Sequence, residues 1–151
     1  EKNHPIAILQ LSIGNRCLIF QLFHANFIPV SLHAFLADPR HTFYGVLSKK
    51  TKIADLNDLA RLATINSHNR NGGYKYMGLK KMASAVIGKK MDKPLNVTLS
   101  KWDTVELDRD QIEYATIDAV VSYQLGYTLC SPIFCPQLGF IVVGRPELLL
   151  V

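Results

Sequence analysis

Tyr114 and Asp118 stand four residues apart in QIEYATIDAV, a segment that reads as helix, so a phenol and a carboxylate project from one face. A phenol above a carboxylate can orient a water molecule. A carboxylate flanked by Ile117, Ala119 and Val120 is costly to bury alone. It has to be paired with a cation such as a lysine, hydrogen-bonded, or bound to a metal. The face of Tyr114 and Asp118 continues through Gln111, Val121 and Leu125. The neighbouring stripe of Ile112, Ala115, Ala119 and Tyr123 is the one expected to face the core, which puts Asp118 at the edge of a buried surface. The second chemical feature is a set of lysines. Lys80 and Lys81 fall outside the apolar stripe of a helix predicted from Leu79 to Ile87, and with Lys89 and Lys90 just beyond it they form a candidate phosphate-binding set.

Other constellations are excluded. Gly73 and Gly78 have the glycine spacing of a phosphate-binding loop, but Leu79 occupies the lysine position and no strand precedes them. Cys17, Cys130 and Cys135 are odd in number and contain no CxxC pair, which argues against a disulfide framework or a zinc site and for a reducing setting. His4, His24, His33, His41 and His68 show no paired metal-ligand spacing. No apolar run approaches the ~18 residues that span a bilayer. Glu1 opens the chain with no Met and no charged-then-apolar leader, which reads as a fragment or excised domain of a nuclear or cytoplasmic protein that is not secreted.

The elements that must position Tyr114 and Asp118 follow from pattern. Two β-rich runs, IAILQLSI and CLIFQL, flank Gly14-Asn15-Arg16 and predict a hairpin. Neither run alternates cleanly, so both read as interior strands covered on two faces. Leu32, Phe35 and Leu36 predict a short helix between Pro29 and the Asp38-Pro39 stop. A third strand is expected over 42–47 and a second helix over about 53–64, then a polar loop at 66–76. The 79–87 helix closes at Gly88. Asp108, with Gln111 three residues on, predicts a capping box ahead of a long helix reaching about Leu129. The sum is a mixed α/β layer architecture.

Of 151 residues, 48% are apolar and 19% charged, the composition of a folded domain of ordinary size. The net charge of +5 is unevenly spread. Residues 49–101 carry twelve basic side chains against Asp55, Asp58 and Asp92, whereas 102–118 carry six acidic ones against Arg109 alone. A basic middle beside an acidic segment suits a partner with phosphates next to a gathered cation, although solvated helix faces give the same counts.

The stretch Tyr114-x-x-x-Asp118-Ala119 resembles the third motif of the 3'–5' exonucleases of the ribonuclease D and Werner-type group, in the class that carries tyrosine beside four acids. The resemblance extends in order through Ala7-Ile-Leu-Gln10-Leu11, Cys17-Leu-Ile-Phe20, Phe35-Leu-Ala-Asp-Pro39, Phe43-x-Gly45-Val46, Lys93-Pro94 and Leu99-Ser100-x-Trp102, and is nearest to the plant members. It covers about residues 6–130 and implies an exonuclease-like domain over 1–130 with a divergent tail at 131–151. It also implies a ribonuclease H-like mixed sheet flanked by helices. In that family carboxylates hold two Mg²⁺ or Mn²⁺ ions, which activate water and stabilise the leaving 3' oxygen. Asp118 would be a metal ligand and Tyr114 would position the attacking water. The expected partner is the 3' end of single-stranded DNA or RNA.

The chain departs from this pattern in two places. The first motif, Asp-x-Glu, lies on a strand that would precede Ile6, and the sequence begins at Glu1 without it. The acid of the second motif is expected after Val46, where the chain reads LSKKTKI with Lys50 near its place. Asp55 and Asp58 follow on the expected second helix and are poor substitutes. Two readings therefore stand: a 3'–5' exonuclease whose site is completed by other residues, or a catalytically silent relative that binds nucleic acid or a protein partner through the lysines of 75–93. The final segment could add a strand around Phe140-Ile-Val-Val143 or have no fixed role.

Overall fold

Successive residues of a strand face opposite sides, and the run from Ile8 to Ile13 is apolar on one side and mixed on the other. In the computed structural model, which describes residues 6–41, 43–45, 54–55, 77–129 and 140–142, this run is the strand β1 (Ile8–Ile13). It pairs antiparallel with β2 (Arg16–Gln21), from Ile8 opposite Gln21 to Ile13 opposite Arg16. Gly14 closes the hairpin at φ +57°, a left-handed conformation that glycine adopts without strain. A short strand near the end of the chain, β5 (Phe140–Val142), pairs antiparallel with the other edge of β1, so the three-stranded order is β2-β1-β5. Of the two readings left for the final segment, the added strand is the one observed.

Helix α1 (Val30–Ala37) occupies the predicted place, with Pro29 before it and Asp38 ending it. Two short strands follow, β3 (Tyr44–Gly45) and β4 (Ala54–Asp55), paired parallel. Beyond them lie α2 (Leu79–Ile87), the single turn α3 (Leu95–Thr98) and the long α4 (Arg109–Leu129). Gly88 ends α2 in the left-handed region, φ +66°, as its position past the apolar stripe predicts. Gly78 is the residue before the first turn of α2, an ordinary helix start rather than a phosphate loop.

Three packed groups make the core. Leu9, Leu11 and Phe43 are buried together, with Leu32 and Leu36 of α1 against them. On the opposite side of β1, Ile8 packs with Val97, Trp102, Tyr114 and Ala115. Leu79, Met82, Ala83 and Met91 meet Val121 and Leu125 of α4. Thus β1 is covered on two faces, as expected for an interior strand.

The expectation fails for β2, which is an edge strand among the described residues. Its Leu18 is 48% exposed and lines an open apolar groove with Pro29, Leu32 and Phe35. A run of apolar residues cannot by itself distinguish a covered strand from one beside a groove. The predicted helix over 53–64 is corrected at its start, since Ala54 and Asp55 are held as strand by pairing with Tyr44 and Gly45. Asp55 is therefore not on a helix. The remainder of that helix, the 66–76 loop, Lys50 and Asp58 lie outside the described residues, as do Cys130 and Cys135.

The capping box is present as the sequence dictates. The Gln111 amide donates to Asp108 Oδ1 at 2.8 Å and the Asp108 amide donates to Gln111 Oε1 at 3.0 Å. Gln111 also donates through Nε2 to Ser100 Oγ at 2.9 Å and to the Lys101 carbonyl at 2.8 Å, which ties the start of α4 to the 95–101 segment. Asp108→Ala is expected to cost about 0.5–2 kcal/mol of stability, measurable as a lower urea midpoint at unchanged m-value.

Candidate functional site

The long helix presents Gln111, Tyr114, Ala115, Asp118, Ala119, Val121, Ser122, Leu125 and Gly126 to the interior. Asp118 is not at the edge of this surface but within it, with 1% of its area exposed. The stripe expected to face the core is correct for Ala115 and Ala119 and wrong for Ile112, which is 47% exposed. Helix α4 is rotated toward its polar face. An acid can occupy the buried stripe when a cation accompanies it, and one does.

That cation is Lys93, from the segment between α2 and α3. Its Nζ lies 3.0 Å from each carboxylate oxygen of Asp118, and its side chain is itself only 13% exposed. The ammonium also stands 5.3 Å from the centre of the Tyr114 ring, within cation–π range. Lys93 thus sits between the phenol and the carboxylate that the four-residue spacing places on one face. Burial pushes the Asp118 carboxyl above the ordinary carboxylate range, opposed by the charge and hydrogen bond of Lys93.

Tyr114 is held on its other sides by two residues of the preceding segment. Trp102 packs against it at 5.7 Å between ring centres, and Thr98 Oγ1 lies 3.3 Å from the phenol oxygen. Thr98 Oγ1 is also 3.1 Å from the Pro94 carbonyl, and with one hydroxyl proton it can donate to only one of the two. The Trp102 indole donates to the Thr98 carbonyl at 3.3 Å. Pro94 at the head of α3 pre-sets the turn that carries Thr98. One short segment, 93–102, therefore supplies the ammonium, the hydroxyl and the indole that surround the Tyr114–Asp118 pair.

The other candidate residues lie elsewhere. Lys80 and Lys81 are exposed on α2, and Lys89 and Lys90 are exposed just past its end. Lys89 donates to Gln124 Oε1 of α4 at 3.1 Å. All four are exposed, whereas the Lys93 side chain is largely buried and enters the site. Sequence reasoning grouped Lys93 with the phosphate-binding lysines. The signal that separates it was the need of a buried Asp118 for a cation.

The donor set bears on the metal that the resemblance implies. Among the described residues no group of three or more His, Cys, Asp or Glu is placed to hold a metal ion. Two divalent cations need several carboxylates between them. Here one carboxylate is present and both of its oxygens face an ammonium. The described residues do not fit a two-cation centre.

Comparison with known proteins gives consistent relatives. The chain is 28% identical to a 3'-5' exonuclease of Arabidopsis thaliana over 131 residues, covering 80% of this chain and 44% of the relative. It is 30% identical to a 3'-5' exonuclease of Drosophila mojavensis over 129 residues, covering 76% of this chain and 39% of the relative. It is 28% identical to the exonuclease 3'-5' domain-containing protein 2 of Drosophila melanogaster, over 83% of this chain and 22% of the relative. The chain spans less than half the length of these curated relatives. No family model and no solved structure matches it. Among the described residues no helix is long and apolar enough to cross a membrane.

Proposed function

We propose that this relative of the 3'–5' exonucleases is a nucleic-acid-binding domain that receives the 3' end of a single strand near Tyr114 and Asp118, and that these 151 residues by themselves do not hydrolyse it. The observation that carries the second half is Lys93 on both oxygens of Asp118. A carboxylate so engaged has its charge balanced by an ammonium, and no hydrolytic step is assigned to it. The first half rests on the relatives and on the outward lysines. Lys80, Lys81, Lys89 and Lys90 bring positive charge to exposed positions on α2 and its exit, where phosphates can displace counterions.

The names of the relatives favour a second reading, hydrolysis of 3'-terminal nucleotides by a protein in which Asp118 joins carboxylates from other residues. Under that reading the fold is ribonuclease H-like, Asp118 is a ligand of Mg²⁺ or Mn²⁺, and Tyr114 lies beside the attacked phosphate. Lys93 would then have to leave at least one carboxylate oxygen.

Binding of a fluorescent single-stranded oligonucleotide tests the proposal. Affinity is expected to fall steeply with salt, and glutamine at all four lysines is expected to lower the log–log salt slope by about 3, since each phosphate contact on a single strand contributes about 0.7. In Mg²⁺ or Mn²⁺ a 5'-labelled strand should stay full length. A metal-dependent ladder that disappears in Asp118→Ala would establish the second reading instead. A flat salt response would remove the first.

A further inference from the structure

Two further tyrosines lie on the second half of α4. Tyr123 and Tyr127, one turn apart, stack with 6.4 Å between ring centres and 16° between planes. Tyr127 is 62% exposed, near the C-terminal end of the helix. With Ile87, Lys89, Gln124 and Thr128 the two rings line an open cleft between the end of α2 and the second half of α4. The Lys89 side chain is steered to this cleft by its hydrogen bond to Gln124. Lys90 follows it in an exposed position.

The exposed ring of Tyr127 and the Lys89 side chain line the same open cleft, where a ligand can reach both. Rings beside ammonium groups are what an unpaired strand requires: a flat apolar face for each base and a cation for each phosphate. The geometry points to this cleft as a base-stacking subsite for single-stranded nucleic acid, in which an unpaired base lies on the outer face of Tyr127, extending the Tyr123–Tyr127 stack, and a neighbouring phosphate meets Lys89. The subsite rests on the nucleic-acid reading given above. Tyr127 is nine residues beyond Asp118, about 13 Å along the helix axis. At about 100° per residue Tyr127 also lies half a turn round α4 from the buried Asp118, so the cleft grips the strand on a separate face of the helix. Stacking on tyrosine distinguishes bases from no base but reads no sequence, so the subsite grips any single strand.

The test compares two probes of equal length and charge, a fluorescein-labelled oligothymidylate and the same backbone with abasic residues, by anisotropy at fixed salt. The unaltered chain should bind the base-bearing strand more tightly by about fivefold or more. Tyr127→Ala should abolish that preference while leaving affinity for the abasic strand unchanged. Tyr127→Trp should keep it. Lys89→Gln should weaken both strands alike. Equal binding of the two strands by the unaltered chain, or a preference that survives Tyr127→Ala, would overturn the subsite while leaving nucleic-acid binding standing. Failure of both strands to bind would overturn the subsite and the nucleic-acid reading together. Because Tyr127 is exposed, its replacement is not expected to disturb the fold, which circular dichroism of the variant checks.

Discussion

Lys93→Met should lower the stability of the fold by about 3–5 kcal/mol near neutral pH, because it leaves the Asp118 carboxylate buried without its cation. The buried state of both partners makes the size credible, with Asp118 1% and the Lys93 side chain 13% exposed. The loss should also depend on pH in a defined direction. Burial already holds the Asp118 carboxyl above its ordinary range, with Lys93 pulling it back down. Without Lys93 the carboxyl rises further. A native state that binds the proton more tightly than the unfolded chain gains stability as pH falls between the two pKa values and loses it as pH rises through them. The penalty of Lys93→Met relative to the unaltered chain should therefore be largest above the raised carboxyl range and should shrink in mild acid. The double variant Lys93→Met with Asp118→Asn should recover much of the loss and show no such pH trend. Urea unfolding at a series of pH values reads all three. A penalty that is small and flat with pH would mean that the pair is not formed.

The second large effect is expected at Trp102. Trp102→Ala should cost about 3–5 kcal/mol, since the side chain is 5% exposed and packs with Ile8, Val97, Tyr114 and Ala115. Part of this loss should be felt at Tyr114, whose ring leans on the indole at 5.7 Å. Trp102→Phe retains an aromatic face and should lose less, although the indole bond to the Thr98 carbonyl goes with it. Differential scanning calorimetry distinguishes the two variants. Equal loss from both would assign the stability to the indole hydrogen bond rather than to the packing.

Much of the frame was legible in the residues because it depends on local chemistry. The hairpin needs a left-handed residue at the Gly14 turn, α2 needs one at Gly88, and α4 needs Asp108 and Gln111 to satisfy its first amides. Each of these is a short-range requirement written in adjacent residues. What was hidden is long-range. The start of the helix expected at residue 53 shows instead a strand at Ala54–Asp55, because pairing with Tyr44 and Gly45 is not visible in periodicity. Asp118 is buried and Ile112 exposed on α4, and the cation that accompanies the buried carboxylate, Lys93, is 25 residues away in sequence. The single turn of α3 was also missed. Its role is to carry Thr98 to the Tyr114 phenol.

The site follows the same division. Tyr114 and Asp118 are recognisable because their spacing fixes a shared face. Lys93 is not recognisable as their third member because a lysine in a basic stretch looks like its neighbours. The difference between a phosphate-facing lysine and a buried counter-ion is one of burial, which composition does not contain.

The account turns on whether the Asp118 carboxylate is committed to Lys93. Carbon-13 NMR of the Asp118 side-chain carboxyl during titration with Mg²⁺ reads this at the atom concerned. The expected result is a resonance that stays fixed in the unaltered chain as Mg²⁺ is raised through the millimolar range, and that shifts when Lys93 is replaced by methionine. A resonance in the unaltered chain that moves saturably with low Mg²⁺ would show the carboxylate open to the cation and would contradict the account.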